Sequence, residues 1–319
     1  MAAFHYLSDD TLEQLGIDAV EIADRIEQAV AEKARDAILT APKSAVLPGD
    51  GRYMMSTLAT ADAPPFTAVK TVTVSPDNPG RDLPAINGAI SLFDSQTGLL
   101  KCVMEAGWVT AVRTAGLSAV AARKLADPNA QSVGFIGCGV QARSHLDAFR
   151  ALFPLKRIKA YGRGTANVER LCAYARDAGL EADVAESPRD AISDVDLIVT
   201  SVTLDYTIEP FLDARWVKGG AFAAITDLGI PWMDETMSAF GQVFVDDTEQ
   251  EAASPKKVVP ADLVNGDLTD LVSGKITPKH DSERPATFVF RGLAIGDFAI
   301  AALGYERAVE KGLGTVVGA

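Results

Sequence analysis

The chain has 319 residues, enough for two domains, and its 48% hydrophobic and 23% charged residues are typical of a globular protein rather than a disordered one. Its formal net charge of −13 argues against nucleic acid or an anionic membrane surface as a partner. The cysteines Cys102, Cys138 and Cys172 form no C-x-x-C pair, which predicts a reducing compartment, the cytoplasm, without a disulfide framework or a metal site.

The first third of the chain is predicted to be α+β. Apolar side chains at Ile22, Ile26 and Val30 recur at helical spacing and indicate one amphipathic helix. The segment 68–74 is instead rich in β-branched residues and lies among turns containing proline and glycine, a pattern typical of a strand. A small, strand-rich domain follows from this pattern.

From residue 132 onward, short apolar segments alternate with helical ones. The candidate strands are 132–136, 157–161, 181–185, 196–200, 221–226 and 242–245. Regular strand–helix alternation predicts a doubly wound parallel sheet of the Rossmann type, covered on both faces by helices.

The predicted domain organisation is discontinuous. A helix over 294–311 is expected to return to the first domain, so that residues 1–115 and 297–319 form a smaller α+β domain for substrate binding and dimerisation. Residues 116–296 form the dinucleotide-binding domain. The polar segment 248–257 is expected to be an exposed loop.

A glycine-rich turn directly follows the first of these strands. It has the G-x-G-x-x-A pattern, with Gly137, Gly139, Val140, Gln141 and Ala142 expected to contact a dinucleotide. The first glycine permits a tight turn, the second lets a pyrophosphate approach the backbone, and the alanine allows close packing of helix and strand. The alternative interpretation is an ordinary glycine-rich β–α turn.

The end of the second strand bears on which dinucleotide binds. An NAD site usually carries an Asp or Glu there, whereas this chain has Tyr-Gly-Arg at 161–163. Arg163 can pair with a 2′-phosphate, and no carboxylate repels that phosphate, so the sequence favours NADP(H) over NAD(H). A solvated arginine in a turn is the alternative.

Polar side chains also follow two later strands of the predicted sheet. Thr200, Ser201 and Thr203 are expected to line the nicotinamide region, and Asp227 follows the strand 221–226. Ligands of doubly wound sheets bind at the carboxyl ends of the strands, which makes Asp227 a candidate catalytic residue. Ordinary loop hydroxyls and a turn carboxylate remain the alternatives.

Four segments together resemble the ornithine cyclodeaminase/μ-crystallin family. They are Val-Lys-Thr-Val at 69–72, Thr-Ala-Val-Arg-Thr-Ala-Gly-Leu-Ser-Ala at 110–119, Gly-Cys-Gly-Val-Gln-Ala-Arg at 137–143 and Phe-Arg-Gly-Leu-Ala-Ile-Gly-Asp at 290–297. That family includes ornithine and lysine cyclodeaminases, alanine and arginine dehydrogenases, and ketimine or cyclic-imine reductases. The resemblance implies a homodimer joined through the strand-rich domain.

The resemblance also implies roles for individual residues. Arg113 and Lys70 would hold the substrate carboxylate, Lys70 as a second clamp or as a proton donor to the imine nitrogen. Asp227 would handle the substrate amino group, and Thr114 would be among the cofactor contacts. Taken alone, Lys70 also fits a solvent-facing strand lysine, and Arg113 a helix-surface charge.

The chain departs from the ornithine cyclodeaminases at two positions. Met54 falls on or near the place of an active-site glutamate, and a thioether cannot balance a buried ammonium. Lys43 stands near the place of a carboxylate-binding arginine. Met54 is therefore expected to contact a neutral side chain or ring of the substrate, which disfavours ornithine.

These features predict an NAD(P)H-dependent imine reductase or amino-acid dehydrogenase acting on a small amino or imino acid. One alternative is a cyclodeaminase, an ammonia lyase that uses the cofactor catalytically and returns its hydride. A second alternative is a non-enzymatic, NADP-binding protein like μ-crystallin.

Overall fold

The computed structural model describes residues 3–205 and 207–318, which divide into two units. Unit 1 contains the described residues up to Arg113 and from Leu293 onward, and unit 2 contains Thr114–Gly292. The chain therefore leaves the first unit and returns to it, as a discontinuous domain does. The predicted boundaries, at 115/116 and 296/297, lie within a few residues of these positions.

Strands and helices are numbered separately in chain order. The strands are β1 (Phe4–Leu7), β2 (Ile38–Val46), β3 (Tyr53–Ala61), β4 (Phe66–Val74), β5 (Ile86–Asp94), β6 (Leu100–Glu105), β7 (Ser132–Ile136), β8 (Arg157–Tyr161), β9 (Glu181–Val184), β10 (Leu197–Thr200), β11 (Phe222–Ile225), β12 (Gln242–Val245), β13 (Val264–Asp267), β14 (Ala286–Val289) and β15 (Thr315–Val317). The α-helices are α1 (Asp9–Glu13), α2 (Ala19–Lys33), α3 (Gly107–Leu125), α4 (Val140–Leu152), α5 (Thr165–Asp177), α6 (Pro188–Ser193), α7 (Thr248–Ala253), α8 (Leu268–Val272) and α9 (Ala294–Lys311).

Unit 1 is built on a mixed sheet with the strand order β15-β1-β6-β5-β4-β3-β2. Strands β2 to β6 form an antiparallel meander, and β1 joins it parallel to β6. Along β4 the residues Phe66, Ala68, Lys70 and Val72 are buried in strict alternation, so they share one face of the sheet. Helix α9 packs on this sheet and contacts β3 and β4.

Unit 2 contains a fully parallel sheet with the strand order β13-β12-β14-β11-β10-β7-β8-β9. Strands β7, β10 and β11 are buried at every residue, as expected for a parallel sheet covered on both faces. The strand order reverses at β7, which has β8 on one side and β10 on the other. This reversal point is where Rossmann-type folds bind ligands, and the predicted fold class is confirmed.

One prediction for this unit was wrong. The polar segment 248–257 is not simply an exposed loop, because it begins with α7. Glu251 on that helix is only 5% exposed and forms an ion pair with Arg291, with Oε2 2.8 Å from Nε. The charge-rich composition of the segment predicts exposure. The ion pair with Arg291, which is distant in sequence, offsets the free-energy cost of burying the Glu251 carboxylate.

Candidate functional site

The glycine turn after β7 has the geometry that its sequence predicts. Gly137 has φ of +90°, and a Cβ at this position would lie 2.5 Å from the carbonyl oxygen of Ser201. Ser201 in turn donates from its backbone N–H to the carbonyl of Ile136 at 2.9 Å. Only glycine fits this left-handed, closely approached position. The turn therefore brings Gly137 and Ser201, two of the predicted cofactor residues, together.

Helix α4 begins at this turn. Its N-cap is Gly139, which gives no side-chain cap, and a Cβ at Gly139 would meet nothing within 4 Å. Ala142 is fully buried, while Val140 is 55% exposed and Gln141 is half-buried. A helix amino end that begins at a glycine turn and faces open space suits a phosphate, so this turn fits a dinucleotide.

The remaining predicted cofactor residues are more scattered. Arg163 is exposed in the segment between β8 and α5, and the N-cap of α5, Gly164, gives no side-chain cap. Thr203 is exposed after β10, whereas Thr114 is buried on α3. The exposed Arg163 follows the end of β8, where Rossmann folds contact the ribose of the dinucleotide.

Asp227 is buried at the carboxyl end of β11 and is held by donors from the neighbouring strand. Its Oδ1 accepts from the Thr200 hydroxyl at 3.0 Å, and its Oδ2 accepts from the backbone N–H of Val202 at 3.0 Å. Asp227 is 1% exposed and Thr200 is fully buried. The predicted residues Thr200 and Asp227 are thus brought together, and the Thr200 hydroxyl donates a hydrogen bond to the Asp227 carboxylate.

The backbone after Asp227 makes a strained turn. Leu228 has φ of +61° and Gly229 has φ of +73°, and the N–H of Ile230 donates to the carbonyl of Asp227 at 3.2 Å. A bulky residue in the left-handed region costs roughly 1–3 kcal/mol, and such strain concentrates at functional sites. Burial raises the pKa of Asp227 to about 6, against the opposing hydrogen bonds from Val202 and Thr200. The group can therefore exchange a proton near neutral pH.

Lys70 and Arg113 lie together in unit 1, joined by a carboxylate that the sequence analysis did not single out. The ammonium of Lys70 donates to Oδ1 of Asp297 at 2.7 Å. Nε of Arg113 lies 2.9 Å from the same oxygen, as an ion-pair contact rather than an aligned hydrogen bond. Lys70 is 1%, Arg113 5% and Asp297 2% exposed, so neither cation is a surface charge.

Thr57 completes this cluster from β3. It pairs with Lys70 across the β3–β4 register, and its hydroxyl donates to Oδ2 of Asp297 at 2.9 Å. Burial and the neighbouring Arg113 charge lower the pKa of Lys70 to about 8, while Asp297 opposes this change. Burial alone would raise the pKa of Asp297, but the charges of Lys70 and Arg113 hold it below its usual range. We call Thr57, Lys70, Arg113 and Asp297 the cation cluster.

The structure does not bring Met54 into the cation cluster. Side chains alternate along a strand, and Met54 lies on the face of β3 opposite to Thr57. It pairs instead with Val46 of β2, which is 61% exposed. The substrate contact of Met54 stays a prediction, and Thr57 is the β3 residue that faces Lys70.

Thr57 and Asp297 were missed as site residues, although each left a signal in the sequence. Asp297 is the sole acidic residue in the otherwise apolar first half of α9, and a charge in such a run needs a buried partner. Thr57 alternates in phase with Ala59 and Ala61, which marks the inward face of β3. Neither signal names the partner, which comes from a distant segment in both cases.

Three further features of the described residues concern metal ligands, the cysteines and membrane-spanning helices. No group of three or more His, Cys, Asp or Glu side chains among them is arranged to hold a metal ion. The cysteines Cys102, Cys138 and Cys172 are free and buried, and burial raises the pKa of Cys102 and Cys138 to about 12. Over residues 3–205 and 207–318, no helix combines the length and the apolar character that a membrane crossing requires.

Comparison with protein families gives one match that covers nearly the whole chain. The sequence profile described as the ornithine cyclodeaminase/mu-crystallin family matches residues 7–312. Among curated proteins, the alanine dehydrogenase of Archaeoglobus fulgidus is 29% identical over 262 residues, covering 79% of this chain and 80% of the relative.

Solved structures agree with this match over both units. The Delta(1)-pyrroline-2-carboxylate reductase of Thermococcus litoralis, in complex with NADH and L-proline, has a TM-score of 0.89 at 25% identity and covers 98% of this chain and 99% of its own. An archaeal alanine dehydrogenase dimer with bound NAD has a TM-score of 0.88 at 27% identity, with 99% of each chain covered. These relatives share the complete fold of the chain and not only its nucleotide-binding unit.

Proposed function

The chain belongs to the ornithine cyclodeaminase/mu-crystallin family, and we propose that within this family it reduces a small imino acid, or oxidises the matching amino acid, at the Cα–N bond. It is an oxidoreductase of the C=N group, and its cofactor is a nicotinamide dinucleotide. The observation that carries the finer proposal is the buried pair of cations, Lys70 and Arg113. Two such cations with one carboxylate between them leave a net positive charge that suits an anionic substrate head.

In this proposal the cation cluster binds the carboxylate of the substrate. Asp297 contacts Arg113 through Nε, and the planar Nη fork of a guanidinium can hold a carboxylate in two parallel hydrogen bonds. The ammonium of Lys70 has further donors beyond the one given to Asp297. Lys70 can therefore act as a second clamp or as the acid that protonates the nitrogen.

Asp227 is proposed to manage the charge and the proton of the substrate nitrogen. Ionised, it stabilises an iminium cation; protonated, it is an acid of suitable strength at neutral pH. The donors from Thr200 and Val202 hold its two oxygens in place. A bound dinucleotide would supply or accept the hydride at Cα. The glycine turn of Gly137 and Gly139 would hold its pyrophosphate.

The proposed function is tested with a substrate panel under both reduced and oxidised cofactors. The panel contains amino acids, cyclic imines, and 2-oxo acids mixed with ammonia or methylamine, and the absorbance of the reduced nicotinamide is followed. We expect net cofactor oxidation with at least one imine. Conversion of a diamino acid without net cofactor turnover would instead identify a cyclodeaminase, and tight NADPH binding without any turnover would identify a binding protein.

We also propose that NADP(H) is preferred over NAD(H), because Arg163 is exposed at the end of the second strand and the segment 161–163 contains no carboxylate. Arg163→Ala is expected to raise KM for NADPH by about ten- to a hundredfold, the value of a charge-assisted hydrogen bond, and to change KM for NADH little. Arg150→Ala, on the far end of α4, is the matched control. Equal effects of Arg163→Ala on both cofactors would contradict the preference.

A homodimer is proposed to form through the outer face of the unit 1 sheet. This is the face opposite to Thr57, and it carries Leu39, Val46 and Leu58 at 58%, 61% and 40% exposure. Adjacent exposed apolar side chains on a sheet usually mark an interface. The archaeal alanine dehydrogenase was described as a dimer, which supports the same assembly.

Leu58→Asp is expected to convert this dimer to a monomer, because it places a charge in the apolar patch. Light scattering coupled to size-exclusion chromatography measures the change. Val184→Asp is the control, since Val184 is an apolar side chain of unit 2 with similar exposure, 58%. A dimer that persists in Leu58→Asp, or that is lost equally in Val184→Asp, would refute the proposed interface.

The cytoplasm is the proposed location. The supporting observation is that all three cysteines of the chain are free thiols, and each is buried. Proteins of oxidising compartments usually pair their cysteines. Expression of a tagged chain followed by fractionation tests the location, and recovery of the chain outside the cytoplasm would exclude it.

A further inference from the structure

We propose that Asp297 is the positioning residue of the candidate site: one carboxylate oxygen orients both Lys70 and Arg113 and keeps Lys70 in its ammonium form. The inference rests on the proposed function, because it concerns how the two cations are prepared for a substrate carboxylate. Asp297 itself is not proposed to touch the substrate. It acts through the two cations.

The geometry of the carboxylate is unusual for a residue that only balances charge. Oδ1 serves both cations, at 2.7 Å from Nζ of Lys70 and 2.9 Å from Nε of Arg113, and Oδ2 is held by the Thr57 hydroxyl at 2.9 Å. All four side chains are at least nine-tenths buried. A carboxylate fixed at both oxygens cannot rotate, so the positions of the two cations are fixed relative to each other.

In this proposal each of the two cations contacts Asp297 with one donor group and the substrate with others. Asp297 lies at the Nε side of Arg113, and the planar Nη fork is the edge of the guanidinium that we propose for a bidentate ligand. It takes one of the three donors of Lys70. A second carboxylate can therefore bind both cations without displacing the first.

Asp297 is also the only anion that faces Lys70 among the described groups that influence it. The other charged groups are Arg113 on α3 and Lys43 on β2, and both lower the pKa of Lys70. The cross-strand neighbours of Lys70, Thr57 on β3 and Ile90 on β5, are uncharged. Without Asp297, two cations and burial would act on Lys70 unopposed, and the ammonium would lose its proton at a lower pH.

The decisive variant is Asp297→Asn, which keeps the shape of the side chain and removes its charge. The pH profile of kcat/KM for imine reduction is measured for the parent and the variant. We expect the alkaline limb, which reports loss of the Lys70 proton, to move to lower pH by roughly one to three pH units, with activity partly restored under acidic conditions. An alkaline limb at the same pH in Asp297→Asn as in the parent would overturn the proposal.

Two further variants separate positioning from general damage. Glu251→Gln breaks another buried ion pair, that with Arg291 in unit 2, and is expected to leave the pH of the limb unchanged. Thr57→Val keeps the charge of Asp297 but frees Oδ2, so we expect kcat/KM to fall about tenfold, the value of one buried hydrogen bond, with the limb unmoved. If Asp297→Asn fails to fold, unchanged kcat/KM in Thr57→Val overturns the positioning role.

A second readout needs no turnover and keeps this inference apart from the proposed function. The pKa of Lys70 lies at about 8 in the folded chain against 10.5 ordinarily, so the parent's unfolding free energy gains a contribution as the pH rises from about 8 toward 10.5. In Asp297→Asn this rise is expected to begin at lower pH. If the parent shows no turnover but its stability profile differs from that of Asp297→Asn in this way, only the proposed reductase function is refuted. If the two stability profiles are identical, the role of Asp297 is refuted.

Discussion

Replacing Arg113 with alanine is expected to lower kcat/KM for the imino-acid substrate by about two to four orders of magnitude, which corresponds to about 3–5 kcal/mol. The substrate carboxylate would lose its bidentate partner in a site shielded from water, where an unpaired charge is costly. The fold should survive, because Asp297 keeps its contacts with Lys70 and Thr57 after the guanidinium is removed. Steady-state kinetics with a matched measurement of unfolding separates the two effects.

Two controls make this prediction specific. Arg150→Ala removes an arginine that is 44% exposed on α4, and it should change kcat/KM less than about twofold. Arg113→Lys retains the charge but not the planar fork, so its kcat/KM should lie between that of the parent and that of Arg113→Ala. Activity of Arg113→Ala within about a factor of ten of the parent would contradict the assignment.

The parts of the fold that were predictable are those whose signals are local. The strands β7, β8 and β12 were predicted with the bounds that the structure gives them, because each is a short apolar run bounded by polar or turn residues. The glycine turn was predictable for the same reason, since the need for a left-handed residue at Gly137 belongs to the turn itself. Local chemistry also placed Asp227 directly after a strand.

What sequence could not supply is the pairing of distant segments. Strand β14 inserts between β11 and β12, so the order of the sheet departs from the order of the chain. The same limit applies to the candidate site. A lysine in a β-branched strand fits a surface or a core equally well, and only Asp297, 227 residues further along, decides that Lys70 is buried and charged.

Spacing along the sequence did not show on which face of β3 Met54 lies. Alignment by spacing locates a residue to within a few positions, but a shift of a single residue on a strand moves the side chain to the opposite face of the sheet. Thr57 and Met54 are separated by an odd number of residues, which puts one beside Lys70 and the other beside the exposed Val46. Sites built on strands are therefore less predictable from spacing than turns are.

Asp227→Asn is expected to lower kcat by about two to four orders of magnitude, the usual contribution of a positioned acid or base. The amide cannot exchange a proton and cannot stabilise an iminium cation. Binding of the dinucleotide should persist, because the glycine turn is untouched, and isothermal titration with NADPH checks this. Undiminished kcat in the variant would remove Asp227 from the mechanism and leave Lys70 as the acid.

The same variant should change how stability depends on pH. The pKa of Asp227 is about 6 in the folded chain and 3.8 ordinarily, so its contribution to stability is fully present below 3.8 and is lost as the pH rises through 6. The unfolding free energy of the parent relative to Asp227→Asn should therefore fall by about 3 kcal/mol over this range, about half of it above pH 5. Denaturant unfolding measures this difference.

Asp196→Asn supplies the control for that slope. Burial would raise the pKa of Asp196, but Lys218 and the N–H groups of Gln131 and Ser132 hold it below its usual value. Asp196 is therefore ionised in both the folded and the unfolded chain above pH 5, so the difference between the parent and this variant should be flat from there to pH 8. A flat difference for Asp227→Asn as well would mean that Asp227 carries no raised pKa, and its proposed proton transfer at neutral pH would lose its physical basis.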